Sequence, residues 1–292
     1  MSNISKTLSK LTVHPLKFNH YGPFPDALLS VTSQLLPNEQ LQSAQYLKAG
    51  LSNANYWLKT NKQEYLLKFY QASFPQPQLE MQQHLASLGL CPDVIKSDLK
   101  ANLALFDFMP GENPKMLEFK PLLKLLSQLH QQQSNSPALS FTDYFAQYST
   151  LNYYAEFSTL IDNLLENKAK FEATPGYCHN DLLINNIIVN RDKNETKWFL
   201  IDFEYAANND VFFDLAALCC DFKLEENSET DLLHYYLGHN RLKIDLAQAK
   251  TKLHCFKLIY CLLCYFWYAS RQLQPEAGLT YQQIQTLLLL KS

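Results

Sequence analysis

The chain has 292 residues, 47% of them apolar and 18% charged, and carries a formal net charge of -3. That balance describes a globular chain with core enough for one large domain or two lobes, and it excludes disorder. The missing basic excess argues against a general nucleic-acid binder.

The first twenty residues hold no apolar stretch of signal-peptide length. The longest strongly apolar run, Leu258 to Ala269, falls short of the ~20 residues that a bilayer span needs and reads as a buried helix. The expectation is therefore a cytoplasmic protein with no membrane span, whose seven cysteines are free thiols. Cys261 and Cys264 form a C-x-x-C inside that apolar run, with no second pair, and read as small buried hydrophobes.

In chain order, residues 26–40 predict a short helix ending near Pro37. Aromatic and Leu-rich short runs separated by turn residues then predict three antiparallel strands, Gln42–Lys48, Asn55–Thr60 and Glu64–Phe69. Leu79, Met81, Leu85 and Leu88 recur at helical spacing, with Gly89 placed to end the helix. "VIKSDLKANLALFDF" reads as two more strands about a polar turn. "MPGENP" breaks both periodicities, so the lobe boundary falls there, dividing a nucleotide-binding part, 1–108, from a catalytic and substrate-binding part, 109–292. From Lys115 the pattern turns helical. One strand pair, "NNIIVN" and "KWFLIDF", interrupts it, and helices fill the rest. The fold class expected is α+β, an antiparallel-sheet N-lobe and a mainly helical C-lobe with a cleft between.

The chemistry concentrates in "YCHNDLLINNIIVN" and "FLIDFEYA". Asp181 precedes Asn186 by five residues, and Asp202 ends the following apolar strand. That is the phosphoryl-transfer pattern, in which an Asp receives the acceptor hydroxyl's proton while an Asn and a second Asp hold Mg²⁺, a hard cation that wants oxygen ligands. No Walker-type Gly-rich loop is present. Instead "AGLSNANYWL" offers a small polar turn to phosphate oxygens. Lys68 sits alone in an apolar strand, and Glu80 on the next helix is its expected partner in anchoring the phosphates of ATP. The strand end "LALFDFMPG" offers backbone groups to adenine, with Phe106 and Phe108 as covers.

"HNDLLINNIIV" followed by "LIDFEYAANNDVFFDLA" resembles the choline/ethanolamine kinase and aminoglycoside phosphotransferase superfamily, and within it the small-molecule choline and thiamine kinases. "GLSNANYWL", "FMPGE" and "LSQLHQ" resemble that family's nucleotide loop, hinge and second-lobe helix. The resemblance spans roughly Leu47 to Arg271. It implies a protein-kinase-like two-lobe fold and an ATP- and Mg²⁺-dependent phosphotransferase acting on the hydroxyl of a small cationic alcohol. By the resemblance Asp181 is the base, Asn186 and Asp202 the metal ligands, Lys68 and Glu80 the phosphate-anchoring pair. Ser52 and Asn53 then lie on the nucleotide loop, and Asp214 steadies the catalytic loop from behind. A cationic acceptor wants π faces and carboxylates. Trp267 and Arg271 on the late helix, with Glu204 and Tyr205 beside the metal ligands, are the expected substrate contacts. Alternatives are a thiamine kinase, an aminoglycoside phosphotransferase served by the acidic run Asp221 to Asp231 (itself simply read as a solvated loop), and a nucleotide-binding pseudokinase.

Overall fold

The structure, a computed structural model, describes residues 26–47, 52–116, 118–192 and 195–290. Its backbone contacts divide into two compact units, Met1–Gly111 and Glu112–Ser292.

In the first unit, helix α1 (Asp26–Leu35) precedes strands β1 (Leu41–Leu47), β2 (Asn53–Thr60) and β3 (Glu64–Tyr70). Helix α2 (Gln76–Ser87) and strands β4 (Val94–Asp98) and β5 (Leu103–Asp107) follow. The strands form one antiparallel sheet in the order β1-β2-β3-β5-β4. Alternation along β3 and β5 builds two cores. Tyr65, Leu67, Leu103 and Leu105 join Leu28, Val31 and Leu35 of α1 on one face. Tyr70, Ala104 and Phe106 join Leu79 of α2 on the other. Lys68 belongs to the second face, opposite Asn55 on β2 and Ala104 on β5. Beyond Leu88, Gly89 ends α2 at φ +75°. Its N–H donates to Ala86 O at 2.9 Å, and the N–H of buried Leu90 donates to Leu85 O at 3.1 Å, the paired bonds of a Schellman ending. The predicted strand end at Lys48 and the loop residues Ala49, Gly50 and Leu51 lie outside the described residues.

The second unit holds α3 (Phe119–His130), α4 (Phe141–Ala146), α5 (Tyr154–Lys170), β6 (Pro175–Cys178), β7 (Ile187–Arg191), β8 (Thr196–Leu200), β9 (Ala207–Asp210), α6 (Phe212–Asp221), α7 (Glu226–Asn240), α8 (Leu246–Ser270) and α9 (Gln274–Leu289). The predicted hairpin is β7–β8. A second two-stranded sheet, β6 with β9, was not expected. Its strands have four residues each, too short to carry a period, and "ANND" has no β propensity. Gly176 on β6 is demanded by packing: a Cβ there would meet His130 O at 2.7 Å and Val211 Cγ1 at 2.8 Å.

The apolar run near Leu258 is part of α8, a 25-residue helix. Its length and composition would also suit a bilayer. Within its unit it is a core helix, with Leu253, Phe256, Ile259, Leu262 and Phe266 buried. Lys252 is buried beside them, and its ammonium bonds Asp210 Oδ2 at 2.7 Å, Glu172 O at 2.7 Å and Thr174 Oγ1 at 2.9 Å. Cys261 bonds Cys220 of α6, thiol to thiol, at 3.6 Å, so the C-x-x-C is interior packing. The acidic run is solvated, but only part of it is a loop. It spans the end of α6 and the start of α7, where Glu226 and Glu229 pair with Lys250 and Lys257 of α8.

Candidate active site

The loop between β6 and β7 carries Asp181 and, in a single 3₁₀ turn, Asn186. The two are in contact: Asn186 Nδ2 donates to Asp181 O at 2.8 Å and to Asp181 Oδ2 at 3.1 Å. The amide nitrogen is thus spent on Asp181, and the amide oxygen Oδ1 is left as the ligating atom. Asp202 comes to the same end of the hairpin by register. Ile187 pairs with Leu200, and Ile201 N–H donates to Asn186 O at 3.0 Å, so Asp202 follows directly. Asn180 and Asp202 both adopt left-handed backbone, at φ +62° and +67°. Such conformations are costly outside glycine and persist where the surroundings over-determine them.

The surroundings here are a set of side chains that hold the loop at several of its peptides. Asp214, completely buried on α6, accepts His179 N–H at 2.7 Å, Asn180 N–H at 2.8 Å and His130 Nε2 at 3.0 Å. Burial by itself pushes this carboxyl up, but its hydrogen bond and charge contact with His130, together with His179, outweigh that and hold it below its ordinary value. His130 in turn meets the Tyr236 hydroxyl through Nδ1. About two turns further along α6, Asp221 Oδ2 accepts Ile184 N–H at 2.5 Å. Its carboxyl is pushed up, chiefly by burial. Asn113, in the "MPGENP" connector, donates through Nδ2 to the carbonyls of Ile184, Asn185 and Ile187 at 3.2, 3.1 and 2.9 Å. Asn180 Nδ2 reaches Tyr205 O at 3.0 Å and its Oδ1 accepts Asn209 Nδ2 at 2.8 Å. His179 donates from Nε2 to Ile201 O at 2.8 Å and packs on Phe203 at 4.7 Å. Burial pushes its imidazole below the ordinary value, so it is a neutral strut.

Glu204 and Tyr205 follow Asp202 in the turn closed by Ala206 N–H to Phe203 O at 3.0 Å. Two tyrosines that the sequence did not single out, Tyr144 of α4 and Tyr148 just beyond it, join them. The Tyr144 hydroxyl is pushed up by burial and then by Tyr205, Tyr148 and Asp181. Tyr268 on α8 is pushed up to about 12 by burial and then by Cys264, Asp181, Asp221 and Glu276. The Asp181 carboxylate therefore lies within charge range of the Tyr144 and Tyr268 phenols. Trp267 is half-buried at the same end of α8, and exposed Arg271 lies over its ring, Cζ 3.9 Å from the centroid.

In the first unit, Lys68 is buried, with its ammonium 5.4 Å from the Tyr70 ring. The expected pair with Glu80 is a correction. Glu80 lies on the exposed side of α2, held at one-turn spacing by Gln76 Nε2 at 2.6 Å, and the described ion pairs do not join it to Lys68. Asn53 begins β2, and its Oδ1 accepts Gln71 N–H at 3.2 Å beside half-buried Ser52. Phe106 is a core residue. Phe108 packs against Trp57 at 6.2 Å, and its N–H is already given to Glu64 O at 3.2 Å, so that donor is not open to a base.

The residues missed were the braces, His130, Asn113, Asp221 and Asn180. For His130 and Asp221 one signal was available: a polar residue at the end of an otherwise apolar helix.

The donor set at Asn186 and Asp202, an amide oxygen and a carboxylate, is all hard oxygen and fits Mg²⁺.

The pattern of the phosphotransferase enzyme family matches residues 43–250. A probable choline kinase 3 of Arabidopsis thaliana is 37% identical over 76 residues, which is 26% of this chain and 21% of that protein. The chain thus spans about a fifth of that curated relative's length. Among solved structures, the choline kinase LicA of Streptococcus pneumoniae superposes with a TM-score of 0.76 at 20% identity, covering 91% of this chain and 99% of that one. An ethanolamine kinase of Plasmodium vivax gives 0.73 at 15% identity, covering 98% and 94%. At these identities the likeness shows the fold, the kinase-like α+β arrangement that the sequence led us to expect.

Proposed function

Because the chain belongs to the phosphotransferase enzyme family, we propose that it is an ATP-dependent kinase acting on the hydroxyl of a small cationic alcohol of the choline or ethanolamine kind. The observation that carries this reading is the direct contact of Asp181 with Asn186, on a loop whose peptides are held by Asp214, Asp221 and Asn113. The named relatives, choline and ethanolamine kinases, support it.

Each residue then has one task. Asp181 receives the acceptor hydroxyl as a hydrogen-bond donor, orients its oxygen and takes its proton as transfer proceeds. Asn186 supports this twice: Nδ2 holds the Asp181 carboxylate in one rotamer, and Oδ1 would be its ligand atom for the metal. Asn186 and Asp202 would hold Mg²⁺, which when bound supplies positive charge to the phosphate oxygens. Lys68, a cation buried among apolar neighbours on β3, would anchor the nucleotide's phosphates. Ser52 and Asn53 would lie beneath them. Tyr144, Tyr205 and Tyr268 would line the acceptor end near Asp181. The seven cysteines are all free thiols, which suits a cytoplasmic enzyme.

The test is ADP release from ATP and Mg²⁺ across choline, ethanolamine, thiamine and an aminoglycoside, with Asp181→Asn as control. Positioned base catalysis contributes ~10²–10⁴. The variant should lose about that much rate on the preferred acceptor while ATP binding persists. Near-full turnover by Asp181→Asn would remove Asp181 from its role.

A further inference from the structure

The aromatic face expected to receive a cation already holds one. Arg271 lies one turn beyond Trp267, at the end of α8, with Cζ 3.9 Å from the indole centroid, well inside the ~6 Å reach of a cation–π contact. Tyr268 stands perpendicular to the same indole at 5.2 Å. The guanidinium is exposed, and among the described residues no carboxylate pairs with it. Its charge is therefore not cancelled by the protein.

This indole belongs to the acceptor end. The residues three before and one after it, Cys264 and Tyr268, both lie in the field of the Asp181 carboxylate. Tyr148 lies in the field of Arg271 and of Cys264, and Tyr144 in that of Tyr148 and Asp181. Tyr148 also stacks on Phe266, the neighbour of Trp267, with ring centroids 5.5 Å apart, so Tyr148 and the indole share this end of α8.

A quaternary ammonium has no N–H and must be recognised by π faces. An ammonium that keeps its N–H groups can instead donate to phenol oxygens, which Tyr144, Tyr148, Tyr205 and Tyr268 supply here. We propose that Arg271 is a specificity-determining residue: it occupies the Trp267 face against quaternary ammonium groups and turns the acceptor site toward amino alcohols whose nitrogen carries hydrogen. This rests on reading the surroundings of Asp181 as the acceptor end of a kinase.

The experiment measures binding of methylammonium and of tetramethylammonium to the full chain by titration calorimetry at constant ionic strength. It is repeated with Arg271→Ala, Arg271→Gln and the double variant Arg271→Ala/Trp267→Leu. Arg271 is exposed beyond the helix end, so these changes leave the fold alone. The natural chain should bind methylammonium the more tightly. Freeing the indole should shift the affinity ratio toward tetramethylammonium by about two- to fivefold, the yield of one exposed cation–π contact, and the double variant should lose that shift. A natural chain that prefers tetramethylammonium, a ratio unmoved by removing Arg271, or failure of both probes to bind would overturn the proposal. ADP release on ethanolamine and choline is read separately. The expected binding pattern without turnover would sink the kinase reading and leave the selectivity of the site standing.

Discussion

Replacing Asp214 with Asn should test whether the loop around Asp181 is held from behind. The side chain keeps its size but has one oxygen where two were used. Turned so that the oxygen replaces Oδ2, it still accepts His179 N–H and His130 Nε2, and its NH₂ then faces Asn180 N–H, donor against donor. One bond to a charged acceptor is lost, at ~1.5–3 kcal/mol, and a buried N–H is left without a partner. The two bonds that remain are weakened by loss of charge. The total, ~3–5 kcal/mol, matches the usual cost of breaking a buried charged pair and is a large part of a typical domain's ~5–15 kcal/mol. Urea titration should show the loss as a lower midpoint. Heating should show a melting temperature lower by roughly 6–20 °C. The pH dependence has a definite sign. Asp214 is held below its ordinary carboxyl value in the folded chain, so its contribution is fully present above about pH 4 and fades as pH falls through the depressed value. The gap between the natural chain and the Asp214→Asn variant should therefore close only in strong acid. A loss under ~1 kcal/mol at neutral pH would refute the reasoning.

Other substitutions probe the remaining supports. Asp221→Asn should act oppositely on stability and on rate. The half-buried carboxyl is pushed above its ordinary value, so stability falls as pH rises from about 4 through that value. The amide removes that fall while accepting Ile184 N–H more weakly, so neutral-pH stability should hold or rise as kcat drops roughly three- to tenfold. A lower melting point at pH 7 would contradict this. Gly176→Ala should cost ~1–3 kcal/mol in urea titration, because the new methyl meets the His130 carbonyl rather than a movable side-chain tip. A change within ~0.5 kcal/mol would mean that β6 and α3 part freely. Lys252→Met leaves Asp210 without its ammonium and should cost ~3–5 kcal/mol, with Lys252→Met/Asp210→Asn recovering part. Equal midpoints for the single and double variants would show no coupling between the two.

What was legible in the sequence is what local spacing encodes. Strands β1 to β5 alternate or run apolar over five to eight residues, and turn residues punctuate them. Asp181 and Asn186 are five apart on one loop, and the β7–β8 register delivers Asp202 to the same end. Partnerships depending on helix phase were less legible. Glu80 lies on α2 after a strand bearing a buried lysine, yet it faces outward, and no periodicity in a helix of so little amphipathic contrast could have told which way it would turn. Least legible were the contacts bridging long separations, such as His130 with Asp214 or Asn113 with the turn at Ile184. These have a common mark nonetheless. Asp214 stands in "FFDLAALCC", where every other side chain is apolar and every residue is buried. His130 closes a leucine-rich helix in the same way. A polar residue that a helix buries among apolar ones carries a desolvation cost that only a partner can offset. Here the partners are the loop's own peptides and one another. The same reasoning separates Asp214 and Asp221 from the carboxylates at Glu226 and Glu229, which begin the next helix on its polar side and meet lysines instead of the loop. A charge inside an apolar helix run therefore points to whatever backbone that helix braces, and in this chain that backbone is the loop that carries Asp181, held at His179, Asn180 and Ile184.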